Sequence, residues 1–287
     1  MTVNFNSKLK FMNTILVATD FSPVSVNAVH YAADLASDLD SSLLLVNAYQ
    51  IPVTFTEVPV VDISVDDLNK VSVIKLKELK SNLERITSGK LKIYTESRLG
   101  YVTDVIEDIS EKVNPLTIIM GSKGTTEMER LFMGSNTLSV VMNSKYPILV
   151  IPPGVRFRKI KKIGFACDLK EVVETTPAKQ INYFCNLFGA ALTVLNVQND
   201  DDYDAETTEQ TLLLQTMLEK TKPEFEHIHN IDVAEGIHSW SENNCLDLVI
   251  AIPKKHKMIE KLFRRNHTKE IIFQSHIPLL CIHEYNS

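Results

Sequence analysis

Short apolar runs alternate along the first half of the chain with longer segments whose apolar positions recur at helical spacing. The runs that predict buried strands are Thr14–Thr19, Leu43–Val46, Leu91–Ser97, Leu116–Met120 and Ile148–Ile151. The segments between them carry helical stripes, the first of which begins after a Ser22-Pro23 start. Strands that alternate with helices favour a parallel sheet that is covered by helices on both faces.

The second half repeats this order in a modified form. Ile163–Asp168 (IGFACD) repeats the earlier ILVATD, Leu192–Asn196 repeats LLLVN, and Leu246–Ile252 resembles LTIIM. A shift of 131 residues then pairs Pro147 with Pro278 without a gap. We therefore expect an α/β protein of two tandem Rossmann-like domains, 1–152 and 159–287, each with an open, mostly parallel five-stranded sheet and helices on both faces.

Composition and charge argue against some classes of function. The chain has 287 residues, of which 44% are hydrophobic and 23% charged, and its net charge is −6, which argues against nonspecific binding to nucleic acid or anionic membranes. It contains no apolar run near the ~20 residues of a membrane span, and its first residues hold no apolar signal core, so we expect a cytoplasmic protein. The cysteines form no CxxC pair and are expected to be free thiols, mostly buried: Cys167, Cys185, Cys245 and Cys281.

Three glycines follow the fourth predicted strand at a spacing that suits a polyphosphate. Gly121 and Gly124 leave the strand, and Gly134 is followed at once by Ser135 and a helical pattern. Glycines let backbone N–H groups approach an anion closely, and a helix N-terminus adds unpaired donors and a favourable dipole. The alternative is that these residues serve only as turn and cap residues.

Residues from separate strand ends are expected to converge on one crevice. In open parallel sheets, ligands bind beyond the carboxyl ends of the strands, at a topological switch point. Asp20, Asn47-Ala48 and Gly121 each follow a strand end. Asp20 could also act structurally, by capping the turn that follows it.

The glycine spacing, together with an early strand that ends in Asp20, resembles the nucleotide-binding members of the universal stress protein family. The resemblance covers nearly the whole chain, although its diagnostic residues lie in the first half. It implies a stress-response sensor or regulator that binds ATP or a related adenine nucleotide, with or without Mg²⁺. It also implies an unknown protein partner, and an intrachain pseudo-dimer that packs through the last strands, near Ile148–Ile151 and Leu279–Ile282; a homodimer of whole chains stays open.

The resemblance also assigns residues to the parts of the ligand. Asp20 would contact the adenosine. Lys123 and Arg130 lie inside the glycine loop, where each either neutralises phosphate charge or is a solvated surface residue. The complete set that the resemblance places at the nucleotide is Ala18, Thr19, Asp20, Ala48, Met120, Gly121, Lys123, Gly124, Gly134, Ser135 and Asn136.

The second half lacks the glycine pattern, so we expect no nucleotide there. The shift of 131 residues places Ile252, Lys255 and Arg265 where the glycines stood, and Asp168 is expected to be structural. The segment 254–265 holds six Lys or Arg and one Glu, which indicates either a solvated or interdomain face or an anion or partner site.

Two further pairs of residues are interpreted without a functional role. His227 and His229 share one strand face, but spacing supplies no third ligand, so no metal site is predicted. Tyr31 and Tyr183 fall at similar positions in the first helix of each repeat and are expected to pack in the cores.

No catalytic residue can be assigned from the sequence. The chain has neither a Walker loop ending in GK[ST] nor a GxSxG elbow, and no Ser/His/Asp set can be placed. A nucleotide-responsive sensor is therefore the leading hypothesis. Its rivals are an interaction module that binds no nucleotide and a slow ATP hydrolase.

Overall fold

The computed structural model describes residues 13–51, 64–122, 134–198, 205–253 and 277–283. Its strands are β1 (Thr14–Ala18), β2 (Ser42–Tyr49), β3 (Ile93–Leu99), β4 (Thr117–Gly121), β5 (Ile148–Ile151), β6 (Lys162–Ala166), β7 (Ala191–Gln198), β8 (Glu224–His229), β9 (Leu248–Ala251) and β10 (Leu279–Cys281). Its helices are α1 (Pro23–Asp38), α2 (Val65–Ile86), α3 (Val102–Val113), α4 (Ser135–Asn143), α5 (Val172–Thr175), α6 (Ala178–Phe188), α7 (Ala205–Met217) and α8 (Val233–Asn243).

The described strands form one sheet in the order β3-β2-β1-β4-β5-β10-β9-β6-β7-β8. Read inwards from each edge, the two halves have the same order, because β8-β7-β6-β9-β10 matches β3-β2-β1-β4-β5. Neighbouring strands within each half run parallel. The predicted α/β fold class is therefore confirmed.

The two halves join where β5 and β10 pair antiparallel. Leu279 lies opposite Val150, Leu280 opposite Leu149, and Cys281 opposite Ile148. The chain was expected to pack through these last strands, and their pairing merges two five-stranded sheets into one of ten strands. The limits of the two domains, 1–152 and 159–287, remain a proposal.

Local sequence signals explain where the first helices begin and end. The Ser22 hydroxyl accepts a hydrogen bond from the Ser25 N–H at 3.3 Å, and Pro23 occupies the first helical position of α1. Helix α2 begins the same way, because the Ser64 hydroxyl accepts from the Asp67 N–H at 3.1 Å. Helix α3 ends at Asn114, whose φ of 47° is left-handed.

One sheet face carries an apolar core that runs through both halves. It joins buried residues of α1, α2, α6 and α7 to both halves of the sheet, including Leu149 of β5 and Leu280 of β10. On the opposite face, α3 and α4 cover the first half and α8 covers the second, in two separate clusters. Helices therefore cover both faces, as predicted.

The connection between the halves is fastened to α1. The Asn27 side-chain amide donates to the carbonyls of Pro152 and Val155, at 3.3 and 3.1 Å. Tyr31 packs edge-on against Phe157 with ring centroids 5.4 Å apart. The segment after β5 is therefore packed against the first half.

The prediction that Tyr183 packs in a core is wrong. Tyr31 is 2% exposed, but Tyr183 is 47% exposed and meets Phe184 edge-on. Helix α6 starts ten residues after Asp168, whereas α1 starts three after Asp20, with α5 inserted in the longer connection. The tyrosine therefore lies at a different turn, outside the buried stripe of Ile181, Phe184 and Cys185.

The cysteines and the remaining segments complete the fold. All four cysteines are free thiols; Cys245 is exposed and the other three are buried. Burial raises the pKa of the Cys185 and Cys281 thiols to about 12, so both stay protonated. The basic segment 254–265 lies outside the described residues. Within those residues, no helix combines the length and apolar composition that a membrane crossing requires.

Candidate functional site

A cavity of about 300 Å³ opens beyond the carboxyl ends of β1, β2 and β4. It lies at the switch point of the first half, where the strand order reverses. Strands β2 and β3 lie on one side of β1, and β4 and β5 lie on the other. Its lining residues are Ala18, Thr19, Asp20, Ser22, Val24, Ser25, Val46, Ala48, Val102, Ile106, Met120, Gly121, Gly134, Ser135, Asn136 and Thr137.

The cavity has an apolar wall and a polar wall. Val46 and Ala48 of β2, Val102 and Ile106 of α3 and Met120 of β4 provide the apolar wall. The residues after β1 and the first residues of α4 provide hydroxyl groups, backbone groups and one carboxylate. This combination of apolar surface and few polar groups is typical of small-molecule sites.

The carboxylate, Asp20, is held by a turn between β1 and α1. Its Oδ1 accepts a hydrogen bond from the Ser22 N–H at 2.9 Å, and the Thr19 hydroxyl accepts from the Phe21 N–H at 3.0 Å. Partial burial raises the pKa of Asp20, but hydrogen bonds from Ser22 and Ser25 outweigh it, so this pKa lies below its usual value. Asp20 therefore presents a charged acceptor to the cavity.

A chain of hydrogen bonds from neighbouring elements holds this turn in place. The Asn47 amide donates to the Thr19 carbonyl at 2.7 Å, and its Oδ1 accepts from the Ser72 hydroxyl at 2.7 Å. The Ser97 hydroxyl donates to Ser72 at 2.7 Å. Residues of β2, α2 and β3 thus fix the carbonyl that precedes Asp20.

Gly121 and Gly134 differ in what the local structure requires. A Cβ on Gly121 would lie 2.9 Å from the Val24 Cγ1 and 3.0 Å from its carbonyl oxygen, so the packing of α1 against β4 already requires glycine there. Gly134 has φ −57° and ψ 145°, a conformation that is open to any residue. The backbone conformation therefore does not require glycine at position 134.

The start of α4 lacks the side-chain cap that α1 and α2 have. Gly134 occupies the N-cap position, where glycine is well tolerated but supplies no acceptor, and no side chain caps the helix. Ser135, Asn136 and Thr137 follow it, and the N–H groups of a first helical turn have no acceptor within the helix. These donors border the cavity and can receive an anionic oxygen.

The structure brings together nine of the eleven residues that the sequence assigns to a nucleotide. The other two, Lys123 and Gly124, lie outside the described residues. Sequence reasoning missed Ser22, Val24, Ser25, Val46, Val102, Ile106 and Thr137. Val102 and Ile106 lie on the apolar side of α3, and only their position beside the end of β2 distinguishes them from core residues.

The second half retains the asparagine and aspartate hydrogen bonds of this site but lacks the serine that supports the asparagine. The Asn196 amide donates to the Cys167 carbonyl at 3.0 Å, as Asn47 does to Thr19. The Lys170 N–H donates to Asp168 at 3.3 Å. The Asn196 Oδ1 is buried without a hydrogen-bond partner, whereas the Asn47 Oδ1 has Ser72. Asp168 therefore has the turn role expected of it.

The two strand histidines do not form part of a metal cluster in the described part of the chain. His227 and His229 both lie on β8. Among the residues that the structure describes, no group of three or more potential His, Cys, Asp or Glu ligands comes together.

The fold and the cavity define a doubly wound α/β protein with a ligand crevice at its switch point. Comparison with known proteins gives the family. The sequence profile of the universal stress protein family matches residues 12–152, just under half of the chain, and this segment is similar to members of that family. The residue pattern that suggested the resemblance is thereby confirmed at the level of the family.

Known proteins resemble the first half and the whole fold to different extents. Universal stress protein MJ0531 of Methanocaldococcus jannaschii is 29% identical over 142 residues, which are 48% of this chain and 80% of that protein. The crystal structure of a universal stress protein from Archaeoglobus fulgidus DSM 4304 has a TM-score of 0.68 and 17% identity, with 96% of this chain and 97% of that one covered. The functionally unknown protein PA1789 of Pseudomonas aeruginosa PAO1 has a TM-score of 0.58 and 11% identity, with 96% and 94% covered. These two structures share the fold along both halves.

Proposed function

We propose that this protein binds ATP or a related adenine nucleotide, with or without Mg²⁺, in the cavity of its first half and acts as a nucleotide-dependent sensor or regulator in a stress response. The base would lie against Val46, Ala48 and Ile106, the sugar near Asp20, and the phosphates at the start of α4. The proposed setting is the cytoplasm, which the buried free thiols favour. In this proposal, nucleotide binding changes which protein partner the chain binds.

The observation that carries this proposal is the glycine at the start of α4. A residue with a capping side chain would fit the backbone at Gly134 and would stabilise the helix. Glycine instead leaves the first N–H groups of α4 facing a cavity that has an apolar wall for a base. The first N–H groups of α4 therefore have no capping side chain and are available to bind a phosphate.

Binding is a better-supported activity than hydrolysis. A general base works best when its pKa lies near the working pH. Asp20 is the carboxylate among the described lining residues, and its hydrogen bonds hold its pKa below the usual value. It is therefore suited to accept hydrogen bonds from a ligand rather than to remove a proton from water.

The test is a pair of substitutions at the same position, Gly134→Asp and Gly134→Asn. Both side chains can cap α4, so the free energy of unfolding should rise by a few tenths of a kcal/mol. Both should also occupy the N–H groups that a phosphate needs, and Asp adds charge repulsion. We expect ATP affinity to fall about tenfold for Asn and about a hundredfold for Asp, because charged hydrogen bonds contribute roughly 1.5–3 kcal/mol each.

Calorimetric titration and urea unfolding measure the two effects separately. Unchanged ATP affinity in both variants would favour the rival interaction module, in which the cavity holds no nucleotide. Nucleotide released from the freshly purified protein provides the stoichiometry. One adenine nucleotide per chain supports a site in the first half alone, whereas two would show that the second half also binds.

A further inference from the structure

A second cavity of about 690 Å³ lies beside the proposed nucleotide site, between the start of α3 and one side of α4. It shares Val102, Ser135 and Asn136 with the first cavity. The two cavities are therefore adjacent, and Ser135 and Asn136 border both. The first cavity, at about 300 Å³, lies at the lower end of the range for ligand pockets, roughly 300–1,000 Å³.

The second cavity is lined by groups that suit an uncharged, hydroxyl-bearing moiety. Its other walls are Tyr101, Thr103, Asp104, Ser139 and Asn143. The Thr103 and Ser139 hydroxyls are 3.1 Å apart and join α3 to α4 across it. No lysine or arginine is among these lining residues, and the Asp104 carboxylate repels further phosphate while accepting hydrogen bonds from hydroxyl or amino groups.

Tyr101 offers an aromatic face in this cavity. It occupies the N-cap position of α3, where it makes no side-chain cap, and its side chain is 69% exposed. Its backbone is held by hydrogen bonds, because its carbonyl accepts from the Val105 N–H at 3.0 Å and the Gly100 N–H before it donates to the Tyr49 carbonyl at 2.9 Å. An exposed ring on a fixed turn is suited to stack against a nucleobase.

We infer that the preferred ligand is a dinucleoside polyphosphate, with one nucleoside in the first cavity, its phosphates at the start of α4, and the second nucleoside against Tyr101. Asp104 then accepts a hydrogen bond from the second ribose or base. This inference rests on the proposed nucleotide site and specifies its ligand class. ATP fills only the first cavity and the phosphate positions.

The test compares ATP, adenosine tetraphosphate and diadenosine tetraphosphate by calorimetric titration of the full chain. Adenosine tetraphosphate has the phosphates of the dinucleotide without its second nucleoside. We expect diadenosine tetraphosphate to bind about tenfold or more tightly than adenosine tetraphosphate, because stacking of one base contributes a factor of this order. Equal affinities would overturn the inference and leave the nucleotide site standing.

Substitutions at Tyr101 locate the difference. Tyr101→Ala should abolish the advantage of the dinucleotide and leave ATP affinity within about twofold, while Tyr101→Phe should retain the advantage because the ring remains. Tyr183→Ala, at another exposed tyrosine in the second half, should change neither affinity. An advantage that survives Tyr101→Ala would refute the role of this ring. Absence of binding by all three ligands would refute the proposed nucleotide site itself, and this inference with it.

Discussion

Asp20 and Asp168 hold the same turn in the two halves, but only Asp20 borders the described cavity. Each aspartate accepts a hydrogen bond from the backbone N–H two residues later. The turn alone therefore explains an aspartate at both positions. A ligand role for Asp20 must be detected by a measurement that the turn does not affect.

Asp20→Asn should separate the ligand role from the turn. Asparagine can still accept the hydrogen bond from the Ser22 N–H, so the free energy of unfolding should change by less than about 0.5 kcal/mol. ATP affinity should fall about tenfold, because hydrogen bonds to a charged group contribute more than neutral ones. Calorimetric titration checks this, with Asp168→Asn as the matched control. Equal effects of the two substitutions would argue against contact between Asp20 and the ligand.

Ser72 contributes stability through its buried hydrogen bond to Asn47. Ser72→Ala would leave the Asn47 Oδ1 buried without its 2.7 Å hydrogen bond from the Ser72 hydroxyl. We expect the free energy of unfolding to fall by about 1–3 kcal/mol, the usual cost of a buried unsatisfied group. Urea unfolding measures it, and Thr216→Ala, which removes an exposed hydroxyl, is the control. A loss no larger than that of the control would show that water replaces the serine.

Helix α4 connects the proposed site to the second half of the chain. Its first residues border the cavity, and near its other end the Val141 carbonyl meets the Nε2 of His283, just after β10, at 2.6 Å. Carbonyls in the last turn of a helix lack partners within the helix, so His283 caps α4 from the other half. Burial lowers the pKa of His283, although the Val141 contact raises it, and the ring is neutral near pH 7.

His283→Gln should reveal this contact through pH. The histidine pKa is lower in the folded state than its ordinary 6.5, so its contribution to stability is complete above that value and is lost as the pH falls towards the folded-state pKa. Glutamine can donate to the Val141 carbonyl but does not titrate. The difference in unfolding free energy, wild type minus variant, should therefore decrease between about pH 8 and about pH 5. A difference that stays constant with pH would contradict a buried neutral ring.

Most elements could be predicted from the sequence because their signals are local. Apolar runs located the strands, and Ser22-Pro23 located the start of α1. The cavity could be predicted only in part. Glycine and strand-end signals identify residues such as Gly134, whereas Val102 and Ile106 become lining residues only because α3 packs beside β2. Tyr183 was misplaced because an inserted α5 changed the position of α6, which a repeat comparison does not reveal.

The whole molecule has a shared core that should make its halves unfold together. Buried residues of both halves pack in one cluster on one sheet face, and Leu280 of β10 is 1% exposed opposite Leu149. The single tryptophan, Trp240, lies on α8 in the second half, whereas the proposed ligand site lies in the first. Trp240 fluorescence can therefore report a ligand bound at the other half.

Saturating ATP should raise the urea midpoint that Trp240 reports. Ligand at about a hundred times its Kd stabilises the folded state by about 2.7 kcal/mol, and cooperative halves share this gain. Leu280→Ala should lower stability by about 2–5 kcal/mol and weaken the coupling, because it removes a side chain at the junction. Fluorescence-monitored unfolding with and without ATP measures both effects. If ATP does not change the urea midpoint reported by Trp240 while calorimetry shows binding, the halves unfold independently.

The antiparallel pairing of β5 with β10 also affects how the protein can change over time. In a pair of identical chains related by two-fold symmetry, each substitution appears on both sides of the junction, and a residue on the symmetry axis meets its own copy. Here Leu149 faces Leu280, and the two positions are encoded separately. One half can therefore lose a ligand loop while it still covers the other half's sheet edge. Because the two halves differ in sequence and are joined in one chain, the two ends of the sheet present different surfaces. A partner that recognises one end does not meet the same surface at the other.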